Sequence, residues 1–106
     1  YIDEINEKRN RNFLKVAKVI YKNSKFYPLK FDHIDFLSSF AIPVICKSTA
    51  IRDQLVKDCE GKIEIRPIVG GDITKQPFFK KYVKGNGSNS NAKLAHEQGL
   101  YLGNNP

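Results

Sequence analysis

Apolar and polar residues follow two different periods along this chain, and the changes of period mark its elements. From residue 3 to 22, Phe13, Val16, Ala17 and Ile20 recur at helical spacing. Asp3, Glu4 and Glu7 come early and Lys15, Lys18 and Lys22 late, the order that complements a helix dipole. Asn23-Ser24 and Pro28 break the pattern. From Phe36 to Lys47 the period falls to two, with Phe36, Phe40, Ile42, Val44 and Cys46 on one face of a strand, and Pro43 points to an edge or a bulge. Ser48 or Thr49 can cap the next helix, in which Ile51, Leu55 and Cys59 recur every four residues and Gly61 supplies a left-handed stop.

The second half is shorter in its strokes. Ile63 and Ile65 alternate with Glu64 and Arg66, which gives a strand with a buried and a polar side. Pro67 ends its ladder, Gly70-Gly71 lets the backbone turn or approach a ligand, and Pro77 suits the first turn of a helix running to about Tyr82. Residues 84 to 91, Lys-Gly-Asn-Gly-Ser-Asn-Ser-Asn, read as a flexible tether. A helix from Ala92 to Gln98 then stops at Gly99, and Leu100 to Leu102 forms the last strand. The expectation is an α+β domain, with a small three-stranded antiparallel sheet backed on one face by helices.

Arg66 is the candidate for chemistry. It sits on the polar face of a strand that runs into a glycine loop, an arrangement that presents a guanidinium to an anion. A plainer reading is that Arg66 covers apolar surface with its stem and pairs with Glu64 or Asp72.

Composition limits the rest. The 106 residues give room for one small domain, burying about 60–70% of its unfolded surface. A net charge of +7 and a pI near 9.5 draw the chain towards polyanions without choosing among them. No apolar run approaches the roughly 20 residues that span a bilayer and no signal-peptide pattern opens the chain, so a cytoplasmic protein is the expectation. Met is absent even at position 1, and the sequence opens inside a charged helical pattern. These features read as a piece of a longer enzyme.

Other candidate sites have plainer explanations. Cys46 and Cys59 lie on apolar faces and read as buried thiols, with no CxxC or histidine cluster to suggest a metal. His33 sits in a loop without a partner, and His96 near a helix end reads as help for the last carbonyls. Asn86-Gly87-Ser88 is a formal glycosylation sequon without a secretory signal, and Gly85-Asn86-Gly87 lacks the strand and third glycine of a dinucleotide loop. Lys8, Arg9, Arg11, Lys15, Lys18 and Lys22 read as a solvated surface spread over several sides of the first helix. Phe26, Tyr27 and Phe31 read as packing beneath that helix rather than as a base-stacking platform.

The run Ile65-Arg66-Pro67-Ile68-Val69-Gly70-Gly71-Asp72-Ile73-Thr74-Lys75-Gln76-Pro77, followed by Gly99-Leu100-Tyr101-Leu102-Gly103-Asn104-Asn105-Pro106, resembles the C-terminal domain of the DegT/DnrJ/EryC1/StrS family. The opening Ile5-Asn6-Glu7-Lys8-Arg9-Asn10-Arg11-Asn12-Phe13 is similar to the helix leading from that family's large domain into its small one, so the resemblance spans nearly the whole chain. Its Arg-Pro, Gly-Asp and Gln-Pro pattern looks closest to the sugar 3-dehydratases and nearby 4-aminotransferases, with Asp72 where Asn is expected and Asn105 where His is common. The resemblance implies the small domain of a fold-type-I enzyme dependent on pyridoxal or pyridoxamine phosphate, dimeric in full length. Its substrate would be a nucleotide-linked 4-keto-6-deoxy sugar, in surface polysaccharide or deoxysugar biosynthesis. A large domain outside residues 1–106 would hold the cofactor, with the present residues binding none and being inactive alone. Within this chain the resemblance implies substrate contacts from Arg66, Gly70, Gly71 and Asp72, with Gln76 and Asn104 as weaker candidates, and no role for nucleic acid or membrane. The alternatives are a basic nucleic-acid module using the first helix and Lys80-Lys81, or a ferredoxin-like interaction domain without a ligand.

Overall fold

The computed structural model describes residues 1–68, 72–83 and 90–105. Helix α1 runs Ile2–Ile20, followed by strands β1 (Phe26–Tyr27) and β2 (Ala41–Cys46), helix α2 (Thr49–Cys59) and strand β3 (Ile65–Pro67). A 3₁₀ turn at Ile73–Lys75 leads to α3 (Pro77–Tyr82), α4 (Ser90–Gln98) and β4 (Gly99–Gly103). All strand pairs are antiparallel, in the order β1-β2-β4-β3. The α+β class is as expected, but the sheet has four strands rather than three. The unanticipated β1 is two residues long, too short to carry a period, and exists by pairing Phe26 with Cys46 and Tyr27 with Ile45.

Local chemistry explains the boundaries. Ser48 Oγ accepts from the Ile51 N–H at 3.1 Å and starts α2. Gly61, at φ 74°, turns the chain out of it. Pro77 occupies the first turn of α3 as expected. Two residues of the expected tether, Ser90 and Asn91, already belong to α4, and the remainder, 84–89, lies outside the described residues. Gly99 ends α4 for a steric reason: a Cβ there would run into the carbonyl oxygen of Ala95 and lie 2.9 Å from Ile68 Cγ1.

Strand β2 organises the core. Ile42, Val44 and Cys46 are buried and share one face, while Ala41, Pro43 and Ile45 are half-buried on the other. Ile42 packs against Phe13 and Ala17 of α1, with Val16, Tyr21, Phe31, Leu37 and Leu102 around them. The Phe13 ring meets those of Phe31 and Tyr21 edge-on, at 5.2 and 6.5 Å between centroids, so Phe31 does pack beneath α1. The expected extension of β2 back to Phe36 fails, because Phe36 and Phe40 are 52% and 68% exposed and precede the strand. Pro43 lies beyond the reach of β1, so on that side β2 is locally an edge, as expected. Its carbonyl accepts from the Tyr21 hydroxyl at 2.7 Å, so its missing N–H faces the side that short β1 does not reach. Of the two thiols Cys46 is buried, and burial raises its pKa; Cys59 is only half-buried. Ile63 is exposed and lies outside the shortened β3.

Candidate functional site

The register of the sheet builds the site. Pro43 of β2 stands opposite Tyr101 of β4, and Tyr101 opposite Arg66 of β3, so these three side chains line up across the face opposite the Phe13 core. Beside them the Phe40 ring meets Tyr101 edge-on at 6.2 Å. The result is a cleft of about 320 Å³ lined by Arg9, Phe40, Glu64, Arg66, Tyr101 and Asn104, among others. Two guanidinium groups, from α1 and β3, thus share one opening.

Arg66 projects to solvent on the polar side of its strand, as the alternation implied. Its Nε and Nη2 both contact Glu64 Oε1, at 2.8 and 2.7 Å, and this hydrogen bond raises the Arg66 pKa further. The partner is Glu64, not Asp72. An exposed ion pair of this kind contributes little to stability; here it fixes one edge of the guanidinium and leaves Nη1 outside that contact.

Asn104 is in the same cleft but is 3% exposed. Its Nδ2 donates to the carbonyls of Arg9 and Ser39, at 2.9 and 2.8 Å, and its backbone N–H donates to Phe40 O at 2.8 Å. One residue therefore ties α1, the start of β2 and the end of β4 together where the cleft walls meet.

Asp72 stands apart from the cleft lining and is also 3% exposed. Its Oδ1 accepts from the Thr74 hydroxyl at 2.7 Å and the Thr74 N–H at 3.0 Å, which caps the 3₁₀ turn and lowers the carboxyl pKa. Its own N–H donates to His96 Nδ1 at 3.1 Å. His96 is thus an acceptor for the loop rather than a donor to carbonyls at the end of α4. Gln76 caps α3 outside the cleft lining, while Gly70 and Gly71 lie outside the described residues.

Sequence reasoning missed Arg9, Phe40 and Tyr101. Arg9 was one basic residue among six, and only the fold distinguishes it: its Nε is buried and has no hydrogen-bond partner among the described residues. The other bases are not scattered over several sides. At about 100° per residue, Arg11, Lys15 and Lys18 fall within roughly 60° of one another on α1, and Lys22 lies just past its end. They rim a separate hollow of about 600 Å³ with Leu14, Ala17, Tyr21 and Phe31 beneath them. Among the described residues there is no cluster of three or more metal-ligating side chains, and no helix is long and apolar enough to cross a membrane.

No protein-family model matches the sequence, and no curated protein matches it. The structure is similar to that of an E. coli GDP-4-keto-6-deoxy-D-mannose-3-dehydratase with bound hydrated PLP, with a TM-score of 0.72 and 25% sequence identity. The match covers 95% of this chain and 27% of that enzyme, so the chain spans about a quarter of the enzyme's length.

Proposed function

We propose that this chain is the C-terminal small domain of an enzyme that uses pyridoxal or pyridoxamine phosphate to act on a nucleotide-linked 4-keto-6-deoxy sugar. The observation that carries this reading is its superposition, over 95% of its length, on a 3-dehydratase of such a sugar. The cofactor supplies an electron sink at the sugar, and the protein supplies orientation and charge. Among the described residues no lysine lines the Arg66 cleft, and the carboxylate that does, Glu64, is engaged by Arg66, so these residues do not fit the cofactor itself. The reading assigns the cofactor to a large domain outside these 106 residues, which would also carry the deciding Lys or His and form the homodimer.

The division of labour follows from the side chains. Arg66 offers a planar fork to phosphate or sugar oxygens and holds its charge at any working pH. Tyr101 and Phe40 give the cleft an aromatic wall against which a sugar or base ring can lie. Asp72 acts from behind, since its carboxylate is committed to Thr74 and caps the 3₁₀ turn. Asn104 holds the walls in place rather than spending its amide protons on a ligand.

The coding sequence upstream of Tyr1 provides the test. A large domain with a Ser-x-x-Lys or Ser-x-x-His cofactor segment, whose purified product shows cofactor absorbance and consumes a nucleotide-linked keto sugar, supports the proposal. Both reactions draw nitrogen from an amino donor; its release as ammonia with a 3-deoxy keto sugar as product identifies dehydration, and its retention in an amino sugar identifies aminotransfer. A start codon immediately before Tyr1 overturns it. That outcome would favour a second reading, a basic polyanion-binding module, for which the observation is the Arg11, Lys15, Lys18 and Lys22 stripe.

A further inference from the structure

Charge makes Arg66 insufficient on its own. The bridge of a nucleotide sugar carries two negative phosphates, whereas Arg66 is one cation whose Nε and Nη2 edge is already paired with Glu64. A second cation in the same cleft is required, and Lys8, Arg11 and Lys15 do not line it.

Arg9 meets the requirement. It lines the cleft that Arg66 lines, from a different element. Its Nε is buried without an acceptor among the described residues, an unfavourable state for part of a charged group. Its backbone is held in register by the Asn104 amide, which bonds Arg9 O and Ser39 O together. The helix is therefore anchored at the residue whose side chain lacks a partner, which is the arrangement of a preorganised ligand contact.

Resting on the nucleotide-sugar reading for the identity of the ligand, we infer that Arg9 and Arg66 form a two-arginine clamp for its diphosphate. Arg9 contributes its guanidinium from α1 and Arg66 the edge that Glu64 leaves open. The Phe40 and Tyr101 rings flank the clamp and favour a ligand whose diphosphate continues into a ring.

The experiment is a titration of the isotope-labelled chain with inorganic pyrophosphate and with GDP, following arginine Nε–H resonances and measuring affinity. Both Arg9 and Arg66 signals should shift along one saturating curve. Arg9→Gln should weaken binding roughly ten-fold, and Arg9→Lys should recover only part, because an ammonium cannot reproduce the guanidinium. Arg11→Gln, outside the cleft, should leave affinity unchanged. Should Arg66→Gln weaken binding while Arg9→Gln does not, the clamp is wrong and the Arg66 site stands. Absence of any saturable shift at either arginine would overturn both, and saturation confined to Arg11, Lys15 and Lys18 would move the anion site to the α1 hollow. The wild-type Arg9 resonance decides the matter even if Arg9→Gln fails to fold.

Discussion

The side-chain amide of Asn104 reaches 95 residues back along the chain to the carbonyl of Arg9, and its second hydrogen goes to Ser39. The consequence is that the C-terminal end of β4 fixes the N-terminal half of α1 and the entry to β2. Asn104→Ala removes both donors and leaves the Ser39 carbonyl without this partner, while Arg9 O keeps its helical bond, so it should cost about 1–3 kcal/mol. Asn104→Asp should be no better, because an ionised carboxylate cannot donate and would face two carbonyl oxygens. Denaturant unfolding of the two variants measures this; a loss below about 0.5 kcal/mol in both would show that the amide holds nothing.

Tyr21 should mark the alkaline limit of the fold. Burial pushes its hydroxyl up to about 12 from 10, so the folded chain favours the protonated form that donates to Pro43 O. The contribution is complete below pH 10 and is lost as pH rises from 10 through about 12. Tyr21→Phe should cost about 1 kcal/mol at neutral pH and show a flatter decline over that window. Parallel stability curves for the two proteins between pH 9 and about 12 would contradict the assignment.

Asp72 sets an acid counterpart. Its carboxyl is held below the ordinary value of 3.8, chiefly by the Thr74 hydroxyl, so its stabilisation is present above that value and is lost as pH falls through the lower folded one. Asp72→Asn should unfold with a shallower acid limb, and Thr74→Val should move the Asp72 titration midpoint back towards 3.8. An Asp72 titration unchanged by Thr74→Val would sink the capping account.

Two glycines should respond differently to alanine. At Gly99 the new Cβ collides with the Ala95 carbonyl and crowds Ile68, an overpacking cost of about 2–3 kcal/mol. At Gly61 there is open space, and only the φ of 74° is strained, about 1–2 kcal/mol. Thermal unfolding of both variants should rank Gly99→Ala as the more damaging.

What could be read from the sequence was what local chemistry decides. The Ser48 cap, the Gly61 stop and the Pro77 start each depend on residues within a few positions, and each appears where expected. The even positions of β2 were legible from Ile42 onward, but Phe36 and Phe40 continued the alternation without the strand. Strand β1 was invisible because two residues hold no period and only the edge of β2 makes them a strand. At the candidate cleft, the exposed position of Arg66 was legible from alternation on β3. Asp72 looked like a ligand contact because a carboxylate beside glycines suits either role, and the Thr74 hydroxyl two residues on claims it. Arg9 could not be singled out by any local signal, since its distinction comes from Asn104 at the other end of the chain.

The central claim is that the Arg66 cleft handles a nucleotide-linked sugar for an enzyme of which this chain is the small domain. The most direct measurement is kcat/KM and the unfolding midpoint of Arg66→Ala, side by side, in the protein carrying its cofactor domain. The expected result is a roughly ten- to hundred-fold loss of kcat/KM for the nucleotide-linked 4-keto-6-deoxy sugar, with only partial recovery in Arg66→Lys and an unchanged midpoint. An unchanged kcat/KM with a sharply lowered midpoint would make Arg66 a structural residue and contradict the account.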